Sequence, residues 1–168
     1  MSKVLLPPQS SNNVLNEQTI KLFLAGSINM GSATNWQREI IQELNGSKAD
    51  LVIYNPRRLD WNSDWTQDIT SPQFSQQVNW ELDNLERADI IFFYFDAKGM
   101  SPISLLELGN FGPRKDKNII VYVHPDYERK GNVDIFCNRH DIKVYDVYAE
   151  ALKELKTAIK TKGWKINN

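Results

Sequence analysis

Ala-Asp-Ile-Ile-Phe-Phe-Tyr-Phe (88–95), followed by Ser-Pro-Ile-Ser-Leu-Leu-Glu-Leu-Gly (101–109), is the stretch that decides the fold. The first run is apolar, β-prone and too short for a typical helix, so it reads as a buried strand of a parallel sheet. The connecting loop carries Asp96, Gly99 and Pro102 and leads into an apolar helix start with one carboxylate, Glu107. An acid in the first turn of a helix, just past the carboxyl end of a central strand, lies where open α/β sheets bind their ligands. The helix dipole would stabilise its anion there. First-turn acids also complement that dipole on ordinary surface helices, so this segment alone leaves both readings open.

Working outward, the chain repeats the same strand-then-helix alternation. Ile20 to Ala25 is a strand broken by Gly26-Ser27, a polar loop follows, and Trp36, Ile40, Ile41 and Leu44 mark one face of a helix over 35–44. Asp50 to Tyr54 is a second strand, ended by Asn55-Pro56. The polar stretch 56–72 with Arg57, Arg58, Trp61 and Trp65 is long enough to suggest a functional, ordered loop. A helix from Pro72 to about Arg87 places Phe74, Val78, Leu82 and Leu85 on one face. Asn118 to Val123 is a fourth strand, and Lys130-Gly131-Asn132 reads as a turn into a short segment that is the weakest of the helices. Ile142 to Tyr145 is a fifth strand, and a helix over 147–162 should be capped by Gly163. Such alternation implies a parallel sheet with right-handed crossovers. The expected fold is α/β: a Rossmann- or flavodoxin-like doubly wound five-stranded sheet in order 2-1-3-4-5. Residues 1–18, rich in Ser, Asn, Gln and Pro, read as an N-terminal arm before a single domain over 19–168.

Composition removes several function classes. The 168 residues carry a net charge of −1 without a basic cluster, which argues against nucleic acid as the main partner. Cys137 is the only cysteine, and His124 and His140 stand far apart, so no disulfide or metal centre is expected. No run approaches a membrane span and the first residues are no signal peptide, so the expected location is cytoplasmic. Leu24-Ala-Gly-Ser-Ile-Asn29 is neither a dinucleotide fingerprint nor a P-loop, and no cofactor is expected. Gly26 and Ser27 could bring backbone N–H groups to a ligand, with Ser27 and Asn29 as polar contacts, or could form a plain tight turn. Five tryptophans offer flat surfaces for a planar ligand.

Three motifs in order, Leu22-Phe-Leu-Ala-Gly-Ser-Ile-Asn29, Glu81-Leu-Asp-Asn-Leu-Glu-Arg-Ala-Asp89 and Ser101 to Gly109, resemble the nucleoside 2-deoxyribosyltransferases. The pattern is shared by their relatives, the 2'-deoxynucleoside 5'-monophosphate N-glycosidases, and spans about residues 21–146. The resemblance implies that Glu107 is a nucleophile attacking the anomeric carbon of a 2'-deoxyribonucleoside. It would hold the sugar as an ester until a second base takes it. An ionised carboxylate suits that role, because its charge faces a developing oxocarbenium ion. Glu81 stands where the family has an Asp, as proton donor or as sugar or base ligand, with Asp83 or Asp89 able to share the work. Phe23 replaces a Tyr near the nucleophile, so Tyr54 or a water would have to orient Glu107. Ser101 stands where the transferases contact a free 5'-hydroxyl with Asp and where the glycosidases keep a Ser beside the phosphate. Asn29 replaces the Arg of the glycosidases, while Arg57 and Arg58 could reach inward. Asn132 and Asp134 match the region from which a neighbouring subunit completes the site, which implies a homo-oligomer, dimer or higher, with shared sites. Deoxynucleosides and free nucleobases are the expected partners, and the balance favours base exchange over nucleotide hydrolysis. A non-catalytic nucleotide-binding domain is the third reading.

Overall fold

The computed structural model describes residues 2–28, 35–58 and 64–166. Six strands form one parallel sheet: β1 (Ser2–Leu5), β2 (Ile20–Gly26), β3 (Leu51–Tyr54), β4 (Ile90–Phe95), β5 (Asn118–Val123) and β6 (Val144–Tyr145). Their spatial order is β1-β3-β2-β4-β5-β6. The five strands expected from sequence are present in the expected order, and the correction lies at the edge. Ser2 to Leu5, read as part of an arm, pairs in parallel with Leu51 to Tyr54. The segment after it also packs down. Val14 and Leu15 cover the core, and the Trp80 indole N–H donates to the Gln9 carbonyl at 2.9 Å.

Each strand of the central pair is buried on both faces, which is why Ile90–Phe95 reads as an unbroken apolar run. One face of the sheet carries Phe23, Tyr54, Ile91, Phe93 and Phe95. It is covered by α2 (Pro72–Arg87), α3 (Pro102–Phe111) and α4 (Lys130–Arg139). The other carries Leu22, Leu24, Ile53, Phe92 and Tyr94 under α1 (Trp36–Leu44) and α5 (Tyr148–Ile166).

Three helices differ from expectation. Residues 130–136, expected as a turn or loop, begin α4. They supply few apolar anchors, Val133 and Cys137 being the buried ones. Gly163 lies inside α5 rather than capping it, because the helix continues to Ile166. In α2 the buried residues are Gln77, Trp80, Asn84 and Leu85, while Leu82 is exposed. The helix is therefore rotated so that two carboxamides, not Val78 and Leu82, face inward.

Candidate active site

The site forms where β2 and β4 end side by side. Gly26 closes β2 opposite Tyr94 at φ 150°, a backbone conformation that favours glycine. A Cβ there would stand 2.3 Å from the Tyr94 carbonyl oxygen. Ser27, almost fully buried, then uses every polar group internally. Its N–H donates to Tyr94 O at 2.9 Å, its carbonyl accepts the Trp36 indole N–H at 3.0 Å, and its Oγ accepts the Asp96 N–H at 3.1 Å. The same Oγ lies 2.5 Å from the Ser101 hydroxyl. Ser27 is thus a latch between the two strand exits, and its polar groups are engaged within the protein. Ser101 sits in the left-handed region (φ 48°), an uncommon conformation for a non-glycine residue, and starts α3.

That turn sets the phase of α3, and its polarity is inverted. Ser104, Glu107, Leu108 and Phe111 face inward, while Ile103 and Leu106 are 59% and 70% exposed. Two expectations for Glu107 change. The helix starts at Pro102, so Glu107 lies in its second turn, away from the strongest part of the dipole. The residue is also buried, 8% exposed, rather than surface-facing.

Glu81 approaches from α2. Gln77 Nε2 donates to Glu81 Oε1 at 2.6 Å and to the Pro56 carbonyl, at the exit of β3, at 3.0 Å. Burial pushes the Glu81 carboxyl up to about 7, with the Gln77 hydrogen bond acting in the opposite direction. Burial, with a smaller contribution from the charge of Glu81, pushes Glu107 up to about 8. Among the described residues no cation pairs with either carboxyl, and none hydrogen-bonds to that of Glu107. Two coupled acids without a counter-ion share charge reluctantly, so each disfavours ionisation of the other.

The other expected residues fall around this pair or away from it. Phe23 is fully buried against Tyr54 and Trp80, ring centroids 6.5 and 6.3 Å away, and packs in the core. The Tyr54 hydroxyl is buried with no hydrogen-bond partner, so it does not orient Glu107. Arg57 follows β3 in an Asx turn, its N–H donating to Asn55 Oδ1 at 3.1 Å. Arg58 stacks over the Trp65 ring at 4.9 Å. Asp83 is exposed on α2 and does not join the pair. Asp89 lies at the opposite, amino end of β4, held by Lys21 and Lys162, and cannot share the proton transfer. Asn132 lines a groove of about 540 Å³ between α3 and α4 with Leu105, Gly109 and Phe136. Asp134 is ion-paired with Lys130 at 2.7 Å. Neither is bonded to Glu81 or Glu107 within one chain. Asn29 and Trp61 lie outside the described residues. Sequence reading missed Gln77, whose signal was its place four residues, one helical turn, before Glu81.

Residues 19–127 match a family model described as nucleoside 2-deoxyribosyltransferase like. The chain belongs to that family. None of the curated proteins matches it. Membership supports glycosyl-transfer chemistry on nucleosides. The match covers β2 to β5 with α2 and α3, hence both carboxyls and both serines. Strand β1 and the residues of α4 lie outside it. Among the described residues no helix is long and apolar enough to cross a membrane.

Proposed function

We propose that the protein transfers 2-deoxyribose between nucleobases through a covalent deoxyribosyl ester on Glu107. The observation that carries this reading is the pairing of a buried Glu107 on α3 with a half-buried Glu81 on α2, neither ion-paired to a cation among the described residues. Glu107 attacks C1' of the deoxynucleoside as the glycosidic bond breaks. The bonding electrons go to the base nitrogen, which takes a proton from Glu81. In the second half a new base attacks C1', Glu107 departs as a carboxylate, and Glu81 recovers the proton. The productive form has Glu107 ionised and Glu81 protonated, with both carboxyls raised in the empty site. A base that presents an acceptor nitrogen to Glu81 favours the proton there, and so favours the nucleophilic carboxylate. Chemistry is thereby tied to occupancy.

Incubation with deoxyinosine and adenine, followed by chromatography, tests the reading: deoxyadenosine and hypoxanthine should form with little free deoxyribose. Adenosine should react far more slowly than deoxyadenosine, because a 2'-hydroxyl withdraws electrons from the oxocarbenium-like state. Equal rates would contradict the mechanism. A second reading, hydrolysis of a nucleoside 5'-monophosphate, is favoured by Ser101 carrying a hydroxyl rather than a carboxylate and by the absence of an ion pair on Arg57 among the described residues. It predicts base release from deoxyinosine monophosphate without an acceptor base and no turnover of deoxyinosine. Binding without turnover of either would leave the non-catalytic reading.

We further propose a homo-oligomer in which Asn132 and Asp134 of one subunit complete the site of another. Exposed Ile103 and Leu106 on α3 and Ile135 on α4 support an apolar contact there. Mixing Glu107→Ala with Asn132→Ala/Asp134→Ala should restore part of the activity lost in each. A fully active monomer would end this idea.

A further inference from the structure

We propose that Gln77 is a positioning residue for the proton transfer: it grips Oε1 of Glu81 and leaves Oε2 as the oxygen that delivers the proton to the departing base. This rests on the reading of Glu81 as the acid. Gln77 is buried, and its Nε2 faces two oxygens, Glu81 Oε1 at 2.6 Å and Pro56 O at 3.0 Å. A backbone carbonyl can only accept, so the carboxamide has one sensible orientation and both of its N–H groups are used. Its own oxygen is buried without a partner. The bond also depends on side-chain length. Glu81 reaches back one helical turn to Gln77, and an Asp would fall one methylene short. Through Pro56 the acid is braced against the exit of β3 and does not swing freely on its own torsions.

The chemical consequence follows from where charge goes. As the C1'–N bond breaks and its electrons pass to the base, the proton leaves Oε2 and Glu81 becomes a carboxylate. The Gln77 hydrogen bond to Oε1 strengthens at that moment, because an N–H to a charged oxygen is worth more than one to a neutral acid. Gln77 therefore assists proton release. Among the described residues the titratable group coupled to Glu81 is Glu107 on α3, which cannot substitute for this donor because its charge acts in the opposite direction.

Gln77→Met, which keeps length and removes the donor, is compared with Glu81→Gln and the double variant. Two substrates are used: deoxyinosine, whose base needs a proton to leave, and 7-methyl-2'-deoxyguanosine, whose base does not. With deoxyinosine, Gln77→Met should lower kcat about tenfold to a hundredfold, the scale of one hydrogen bond to a charged group. KM should be unchanged and the alkaline limb of the pH profile displaced upward. With the methylated substrate it should stay within about twofold of wild type, and in the Glu81→Gln background it should add no further loss. Equal losses on both substrates, or an unmoved alkaline limb, would overturn the proposal and make Gln77 structural. Wild-type turnover of deoxyinosine by Glu81→Gln would instead overturn the assignment of Glu81 itself. If Gln77→Met does not fold, Gln77→Asn, which keeps the amide but cannot reach Oε1, must show the same displaced limb, and an unmoved limb there counts against the proposal equally.

Discussion

Strand β4 has an acid cluster at each end, and the two are built on opposite principles. At the amino end Asp89 accepts from the Lys21 ammonium at 3.0 Å, the Lys162 ammonium at 2.9 Å and the Lys21 backbone N–H at 2.9 Å. Burial alone would raise this carboxyl, but the Lys162 and Lys21 contacts together outweigh it and hold it below its ordinary range. Past the carboxyl end, Glu107 is buried and Glu81 half-buried without any such cation among the described residues, and both are raised. The first arrangement stabilises the fold. The second costs stability, and such raised, cation-free carboxyls are what the proposed chemistry requires.

The comparison breaks most easily at Glu107. Glu107→Gln should reduce base exchange by at least about a thousandfold, since a nucleophile has no substitute, while circular dichroism shows a retained fold. Near-wild-type exchange would end the mechanism. Asp89→Asn should do the reverse. Turnover per folded molecule stays within about twofold, and stability falls by about 2 kcal/mol, less than for a fully buried pair because the site is partly wet. That corresponds to a melting midpoint about 4–8 °C lower. A large loss of kcat without a loss of stability would show that the amino-end cluster reaches the site.

The two ends should also respond to pH with opposite sign. Asp89 is lowered in the folded state, so its contribution is present above its ordinary value of 3.8 and is lost as pH falls through the folded value. Glu81 and Glu107 are raised from 4.5, so the stability linked to them is intact at pH below 4.5 and drains away as pH rises through about 7 and about 8. Glu107→Gln should therefore melt several degrees above wild type at pH 9 and near it at pH 5, read by calorimetry. The smallest expected effect is on Ser101→Gly. Relief of the left-handed backbone should be offset by loss of the Ser27 contact, leaving stability within about 1 kcal/mol.

Much of this was legible in sequence because it follows from apolar period. Asn118–Val123 and Pro72–Arg87 have the bounds that hydrophobicity and Pro72 dictate. Glu107 stood out because a charge was embedded in an apolar helix. What escaped was set by tertiary contact. Ser2–Leu5 is too short to announce itself and is a strand because Leu51–Tyr54 offered an edge. Helix α4 contains Gly131, Asn132 and Asp134, all turn-prone, and is held by Val133 and Cys137. The apolar template for α2 favoured Phe74, Val78 and Leu82. The burial of Gln77 instead goes with its hydrogen bonds to Glu81 and the Pro56 carbonyl, and Asn84 donates to the Trp80 carbonyl, contacts that no hydrophobic period encodes.

Gly26 puts a hard limit on how the paired exits of β2 and β4 can be redesigned. Position 26 tolerates a hydrogen and nothing larger, since the first added carbon would meet the Tyr94 carbonyl at 2.3 Å. The only relief is to part β2 from β4 at the ends that launch Ser27, Ser101 and the Glu107 helix. A one-carbon change there would be read out as wider-spaced strand exits and a displaced Glu107. A mutational library seeking new base or sugar tolerance should therefore leave residue 26 fixed and spend its diversity on the loops.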